Sequence, residues 1–312
     1  MTRAALATTA RLTWRQHRFE LALLVILAAI IVAIEVATAA VEGWFVDHRC
    51  LSDPKPAECL GVIWPYQRLT DASSTAGALA SFVPPLIALI LGVKLVGAEI
   101  ERGTAPLPWT VGTSRMRWLL VRVAVVAGAI ALISGALGLA VDAVSASRDP
   151  GVDLANSLGE YQARGWLLLA RAVAIFGVAV LIGAAVGRTL PALLVTILIS
   201  SIGFYVIVNG FELLHRTEAV PLQMLLAPTT RDLYVDGRFR DRVNGAYVTY
   251  EEAYLMEPAG QETFDARFEF VTFGIPGSQS RLVVGRIVGV HLLLFVACIG
   301  LASLVVRRRR PY

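Results

Sequence analysis

The stretch from Leu21 to Val41 reads LALLVILAAIIVAIEVATAAV and decides the class of fold. It is long enough to cross the hydrocarbon core of a bilayer, which takes about 20 apolar residues. Its one charged residue is Glu35. A helix packed on the surface of a soluble protein would instead carry a polar stripe along its exposed side. The stretch therefore predicts a transmembrane helix.

Five further apolar stretches of spanning length follow in the chain. They run from Ala78 to Ala98, Trp118 to Val141, Trp166 to Gly187, Leu190 to Phe211 and Leu282 to Val306. Of the 312 residues, 56% are hydrophobic and 17% are charged, whereas soluble domains carry roughly 25% charged residues. The sequence therefore predicts an all-α polytopic membrane protein with six transmembrane helices. The first span is predicted to stay uncleaved, because its apolar run is too long for a signal peptide.

Arginine placement predicts the orientation of the spans. Cytoplasmic loops of membrane proteins are enriched in Arg and Lys. In the outer loops 42–76 and 142–164, acidic residues outnumber basic ones, so both termini are predicted to be cytoplasmic. The inner arginines are Arg3, Arg11, Arg15, Arg18, Arg102, Arg115, Arg117, Arg122, Arg188 and Arg307 to Arg310.

The longest segment between spans covers residues 211–281 and has the pattern of a folded unit. Asp236-Gly237 and Asn244-Gly245 favour two-residue hairpin turns between strands. From Phe264 to Phe270 apolar and charged residues alternate, as in a half-buried strand. We predict a small β-containing extracytoplasmic subdomain between spans five and six. The chain then divides into a cytoplasmic leader (1–19), spans one to five (20–210), this subdomain (211–281) and span six with a basic tail (282–312).

Chemistry-bearing motifs are scarce in the sequence. It contains no G-x-x-x-x-G-K-[ST] loop, so the chain is not expected to hold ATP phosphates, and no catalytic or metal-binding residues are predicted. Cys50 and Cys59 share the first outer loop, where either a disulfide or two free thiols would be compatible with the sequence. Two glycine pairs, Gly183-x-x-x-Gly187 and Gly285-x-x-x-Gly289, favour close helix approach, within the chain or between subunits.

Several polar residues fall inside the predicted spans. A lone charge near mid-membrane costs at least about 2.5 kcal/mol. We therefore hypothesise that Glu35 pairs with Arg171 or Arg286; the alternative is that both arginines extend outward to the interface. His291 could touch a substrate or be a buried, hydrogen-bonded histidine. Lys94 and Arg122 lie near inner span ends and are also expected to extend to the interface.

The inner loop between spans two and three carries the strongest local signal. Residues 97–122 read GAEIERGTAPLPWTVGTSRMRWLLVR, with acidic residues after span two, a Gly-Thr break and Ser114 placed to cap the next helix. One interpretation is a solvated loop whose arginines only set the orientation of the spans in the membrane. The pattern E-x-E-x-G-T, then Trp109-Thr110, then S-R-x-R-W resembles the cytoplasmic loop of type-2 ABC exporter permeases, and it is closest to the six-span permeases of actinobacteria. The leader Trp14-Arg15-Gln16-His17-Arg18 is similar to that group too.

The resemblance implies a permease subunit, in a bacterial plasma membrane, that couples a separate ATPase to outward movement of a hydrophobic or amphipathic substrate. ATP and Mg would be bound by that partner, a second permease chain would complete a homodimer, and this chain would bind no cofactor and no nucleic acid. The leader would be an interfacial helix with Trp14, Arg15 and Arg18, or otherwise a plain orienting basic segment. The implied ATPase-coupling residues are Glu99, Glu101, Arg102, Gly103, Thr104, Trp109, Ser114, Arg115 and Arg117.

Two other functions are compatible with the sequence. One is a polytopic sensor or immunity protein that needs no ATPase and uses residues 211–281 as an extracytoplasmic receptor. The other is an intramembrane enzyme, which requires polar groups that converge at one membrane depth. Only Glu35, Arg171 and Arg286 approach such an arrangement.

Overall fold

The structure is a computed structural model that describes residues 3–48, 50, 59, 61–103, 114–148, 165–222, 233–257 and 261–308. Within these residues, six helices are long and apolar enough to cross a membrane, which confirms the predicted fold class. The helices are α1 (Arg3–Asp47), α2 (Ile63–Glu101), α3 (Arg115–Arg148), α4 (Gly165–Val186), α5 (Thr189–Glu218), α6 (Tyr250–Met256), α7 (Gln261–Arg267) and α8 (Gly277–Arg308). The six spanning helices are α1 to α5 and α8.

The described residues fall into two compact units. The membrane unit draws on Met1–Arg148, Gln162–Phe204 and Arg286–Tyr312, and the sheet unit draws on Tyr205–Gly285. The centre of the membrane unit is apolar, and Phe176 of α4 is fully buried there together with Leu91 of α2 and Ile130 of α3. Burial of such large side chains against one another fixes how the helices pack.

The first helix differs from the predicted leader. Arg3–Asp47 is one continuous helix of 45 residues, so the leader continues span one and is not a separate interfacial helix. The physical reason is local: residues 3–20 contain no Gly or Pro that would end a helix. At 1.5 Å per residue the helix is about 68 Å long, roughly twice the hydrocarbon thickness, so it extends beyond the bilayer. Trp14, Arg15 and Arg18 are exposed on it.

Helices α2 and α4 approach each other closely along a line of small residues. A Cβ added at Gly92 would lie 2.6 Å from the Cβ of Ala179 and 2.7 Å from the Phe176 carbonyl oxygen. Gly183 is equally tight, because its Cβ would lie 2.9 Å from the Val93 carbonyl oxygen. The first glycine pair of the sequence thus packs within the chain through Gly183, whereas a Cβ at Gly285 or Gly289 would meet no described atom within 4 Å.

We expect Gly92→Ala to lower the free energy of unfolding by about 1–3 kcal/mol, because the added methyl group has no room between α2 and α4. Thermal unfolding of the detergent-purified protein measures the change. Gly128→Ala in α3 is the matched control, since its Cβ would meet nothing within 4 Å. Equal stability of the two variants would contradict the close approach.

The sheet unit holds a four-stranded antiparallel sheet in the order β1-β4-β2-β3. The strands are β1 (Val220–Pro221), β2 (Leu233–Asp241), β3 (Tyr247–Val248) and β4 (Phe268–Ile275). Phe239, Phe264 and Phe268 pack together on one side of it, with the Phe264 ring centroid 5.2 Å from that of Phe239 and 5.1 Å from that of Phe268. A capping box between Thr249 and Glu252 starts α6.

Three of the predicted turns and strands need correction. Asn244-Gly245 lies in a turn between β2 and β3, with Gly245 at φ +74°, but the connection spans residues 242–246 and not two residues. Asp236-Gly237 is not a turn, because β2 runs straight through it and both residues pair with β4 across a bulge. The predicted strand over 264–270 begins only at Phe268. Phe264 belongs to α7, since two aromatics four residues apart meet the same surface on a helix as well as on a strand.

A cluster of ion pairs connects the end of β2 with the start of β4. The Arg267 guanidinium donates to the Asp241 carboxylate over 3.1 Å and to Glu257 over 3.4 Å. The hydrogen bond from Arg267, together with that from the Val243 amide, holds the pKa of Asp241 below its ordinary value of 3.8. The pKa of Arg267 is raised in turn by Asp241. The fold therefore stabilises the ionised form of the Asp241 side chain relative to the protonated form.

Because the folded-state pKa of Asp241 is lowered, its stabilising effect is present above about pH 4 and is lost as the pH falls through the folded pKa. We expect amides of β2 and β4 to exchange faster with deuterium below pH 4, after correction for intrinsic rates. Asp241→Asn should flatten this pH dependence. The control is Glu269→Gln, an exposed carboxylate of the same strand pair, which should leave it unchanged.

Candidate functional site

The residues at the two ends of the predicted coupling loop have defined positions. Helix α2 ends at Glu101, and Gly103 follows in the left-handed region with φ +67°. Thr104 and Trp109 lie outside the described residues. The Arg117 amide donates to the Ser114 side chain over 3.4 Å, so Ser114 caps the start of α3. Arg102 and Arg117 are exposed, and Arg115 is half-buried.

Arg122 connects the two sides of this loop to the leader. Its guanidinium donates to Glu99 at the end of α2 and, over 2.7 Å, to the Gln16 side-chain oxygen on α1. It also lies over the Trp118 ring, 4.8 Å from the centroid. Arg122 is only 4% exposed, so the expectation that it extends to the interface is wrong. Its charge is held inside the protein because carboxylate, amide and ring together replace water.

Two further polar contacts lie at the same end of the helices. Lys94 of α2 forms an ion pair with Glu20 of α1 over 3.0 Å. Glu101 accepts hydrogen bonds from the Thr189 amide, over 2.9 Å, and from its hydroxyl. A carboxylate at the start of α5 satisfies an N–H group that the helix leaves unpaired and meets the positive end of its dipole.

These contacts form one set, which we term the basal network. Its members are Gln16, Glu20, Lys94, Glu99, Glu101, Arg122 and Thr189. His17 is buried beside it, and neither ring nitrogen has a hydrogen-bond partner among the described residues. The network links α1, α2, α3 and α5. A displacement of residues 102–114 would therefore act on four helices through short polar contacts.

The sequence predicts only the part of this network that lies next to the loop. Glu99 and Glu101 were among the implied coupling residues, whereas Gln16, Glu20 and Thr189 were not. Each of the missed residues is a polar group within one or two turns of an apolar span. That position is the signal which could have identified them, but it does not reveal the partner on another helix.

Two polar residues deeper in the spans form hydrogen bonds to α2. The Ser73 hydroxyl donates to Glu35 over 3.0 Å, and the Arg171 guanidinium donates to the Ser81 carbonyl oxygen. These hydrogen bonds of Glu35 and Arg171 thus go to α2 and not to each other, and Arg286 is exposed on α8. His291 is buried and its Nδ1 donates to the Ile287 carbonyl over 2.8 Å, as a structural histidine does.

Cys50 and Cys59 form a disulfide, with their Cα atoms 5.5 Å apart. Both are buried beside Phe45 of α1, whose ring stacks on Tyr66 of α2 at 4.1 Å between centroids. Of the two alternatives from the sequence, the structure contains the bonded one. The disulfide therefore ties the end of α1 to the start of α2.

Comparison with known protein families gives a match that covers most of the membrane unit. The family described as ABC-2 membrane transporter related matches residues 8–210, which is more than half of the chain. The chain belongs to the ABC-2 membrane transporter related family. This match covers most of α1, all of α2 to α4 and most of α5, including the whole basal network. Comparison with curated proteins gives no match, and neither does comparison with solved structures.

Membership in the ABC-2 family confirms the resemblance seen in the sequence and indicates a transport component. With six apolar helices, the chain is a multi-pass membrane protein.

We expect Arg122→Met to lower the free energy of unfolding by about 3 kcal/mol, because it leaves the largely buried Glu99 carboxylate without its charge partner. Lys94→Met is the matched control. Its side chain is 42% exposed, so loss of its pair with Glu20 should cost about 1 kcal/mol or less. Chemical or thermal unfolding of the purified protein measures both. A double variant Glu99→Met/Arg122→Met should recover part of the loss, and no recovery would argue against a direct pair.

Proposed function

We propose that this chain is the membrane-spanning permease subunit of an ATP-driven ABC exporter. A separate ATPase would bind ATP and Mg, and this chain would hydrolyse none. The substrate would be a hydrophobic or amphipathic molecule that moves outward. Both termini and the loop at 99–117 would face the bacterial cytoplasm, where the ATPase is.

The basal network is the observation that carries this proposal. An ATPase docked on residues 102–114 would move the end of α2 and the start of α3. Arg122 holds these two ends together through Glu99 and also holds α1 through Gln16. Because Arg122 is buried, its contacts resist separation more than exposed ion pairs would. Movement of the loop would thus be passed to α1, and through Glu101 and Thr189 to α5.

The expected assembly has two permease chains and two ATPase chains. The surface of helix α5 supports the presence of a second permease. Only 11% of the residues in its apolar stretch are buried within this chain. Leu190, Leu194 and Leu198 are all more than 60% exposed along it. In a permease dimer, part of this surface would face the partner chain and part would face lipid.

The experiment is co-purification of an ATP-binding partner from the native membrane. The tagged full-length chain is extracted in mild detergent, labelled with a photoreactive ATP analogue and separated on a gel. We expect a labelled partner and no label on this chain. Arg102→Glu/Arg117→Glu reverses two exposed charges at the ends of the loop, and it should reduce the labelled partner about tenfold, the effect of roughly 1.4 kcal/mol of lost interaction.

Arg240→Glu/Arg242→Glu is the matched control, since it reverses two exposed charges in the sheet unit. It should leave the amount of labelled partner unchanged. Absence of any ATP-binding partner from the wild-type protein would contradict the exporter and favour the ATPase-independent sensor. Full retention of the partner by Arg102→Glu/Arg117→Glu would contradict docking at this loop.

A further inference from the structure

The membrane unit contains a second polar feature, a cavity between α2, α4 and α5. Its volume is about 210 Å³. Most of its lining is apolar, and four polar residues interrupt it: Ser81, Arg171, Ser200 and Ser201. Neither the family match nor the basal network assigns a role to this cavity.

The position of the Arg171 guanidinium follows from the prolines of α2. In a regular helix the Ser81 carbonyl would accept from the amide of residue 85, but residue 85 is a proline and has no N–H. The Arg171 guanidinium donates to that carbonyl instead. Pro85 therefore leaves the Ser81 carbonyl without its partner in α2, and Arg171 of α4 reaches between the helices to donate to it.

The charge of Arg171 is not balanced by this contact. Arg171 is only 5% exposed, its Nε is buried without a hydrogen-bond partner, and no described carboxylate lies within 4.0 Å of it. The Phe204 ring, whose centroid is 5.3 Å from the guanidinium carbon, offers a weak partner. A buried cation with donors to spare and no counter-ion is a site for an anion.

Ser200 provides a second donor to the same cavity. Its hydroxyl is buried and has no hydrogen-bond partner within the described residues. Ser200 comes from α5 and Arg171 from α4, so the two polar side chains border the cavity from different helices. Two donors from different helices suit an anion with two oxygens, such as a carboxylate.

We propose that this cavity binds the carboxylate of a single-chain amphiphile, a long-chain fatty acid. Arg171 is six residues, or about 9 Å along the helix axis, from the start of α4, so it lies within the apolar span Gly165–Val186 and not at its end. The phosphate of a bilayer lipid is fixed at the headgroup surface by its glycerol. A terminal carboxylate is compact and can reach the depth of Arg171.

The cavity is too small for the whole amphiphile, because ligand pockets usually measure about 300–1,000 Å³. The acyl chain would leave through the exposed part of the lining. Phe82, Leu86 and Ile197 line the cavity and are 69%, 52% and 46% exposed. They provide an apolar path from Arg171 to the lipid-facing surface of the bundle.

This inference deepens the proposed function, since it names the chemical class of a substrate. Transport of that substrate rests on the proposed function, but its binding does not. Binding itself needs no ATPase. The test therefore uses the full-length permease alone in nanodiscs of phosphatidylcholine, which carry no net charge. A failed search for an ATPase partner would leave its result intact.

The probe is a palmitic acid that carries a diazirine, crosslinked by light and mapped by mass spectrometry. We expect adducts on α2, α4 or α5 around the cavity. Dodecanoate should displace the probe, whereas dodecanol, of equal chain length and no charge, should need about tenfold more, as expected for the loss of one charge-assisted hydrogen bond. Phosphatidylglycerol serves as the competitor that represents anionic bilayer lipid, and it should compete no better than dodecanol.

Two variants test the site in independent ways. Arg171→Gln removes the charge and shortens the side chain, and it should reduce labelling about tenfold or more. Ile197→Trp narrows the half-exposed opening, leaves Arg171 intact, and should also reduce labelling. Arg286→Gln is the matched control, since Arg286 is an exposed arginine on α8. It should label like the wild type.

The proposal is overturned if Ile197→Trp labels like the wild type, and this variant alone decides if Arg171→Gln fails to fold. It is also overturned if dodecanol competes as well as dodecanoate, because the charge would then be irrelevant. Competition by phosphatidylglycerol equal to that by dodecanoate would identify the occupant as a bilayer lipid instead.

Discussion

A hydrocarbon environment offers no water to a polar group, so each charge among these helices requires a partner from the protein. Arg122 has Glu99, Gln16 and the Trp118 ring, so its charge is balanced by a carboxylate. Arg171 has a backbone carbonyl and a ring, and its charge is not. The two arginines are buried to nearly the same extent. One is therefore a structural link, whereas the other is available to a ligand.

Structural features that depend on one short segment of the chain could be predicted from the sequence. Apolar stretches such as Leu21–Val41 identify spans because length and hydropathy are properties of one segment. Ser114 as a helix cap and Asn244-Gly245 as a turn are also local features. Asp236-Gly237 shows the limit of such reasoning. Its pairing with β4 satisfies the backbone better than a turn would, and the partners Phe273 and Thr272 lie more than 30 residues further along the chain.

The contacts of the candidate site could not be read from the sequence for a related reason. Arg122 and Gln16 are about 100 residues apart, and no spacing rule connects them. Arg122 was expected to extend to the interface because nothing near it in the sequence could satisfy its charge. Ser73 of α2, which donates a hydrogen bond to Glu35, was not among the partners considered for that carboxylate. Helix packing selects among several chemically acceptable partners.

The disulfide has a mechanical consequence for the first two spans. Cys50 and Cys59 fasten α1 to α2 at one end, and the Lys94–Glu20 pair fastens the same helices at the other. Sliding of one helix along the other would strain a covalent bond. The covalent bond limits sliding at its own end, whereas the half-exposed Lys94–Glu20 pair adds little resistance at the other. Rotation of α2 about its own axis remains possible, and it would turn the Ser81 carbonyl away from the Arg171 guanidinium.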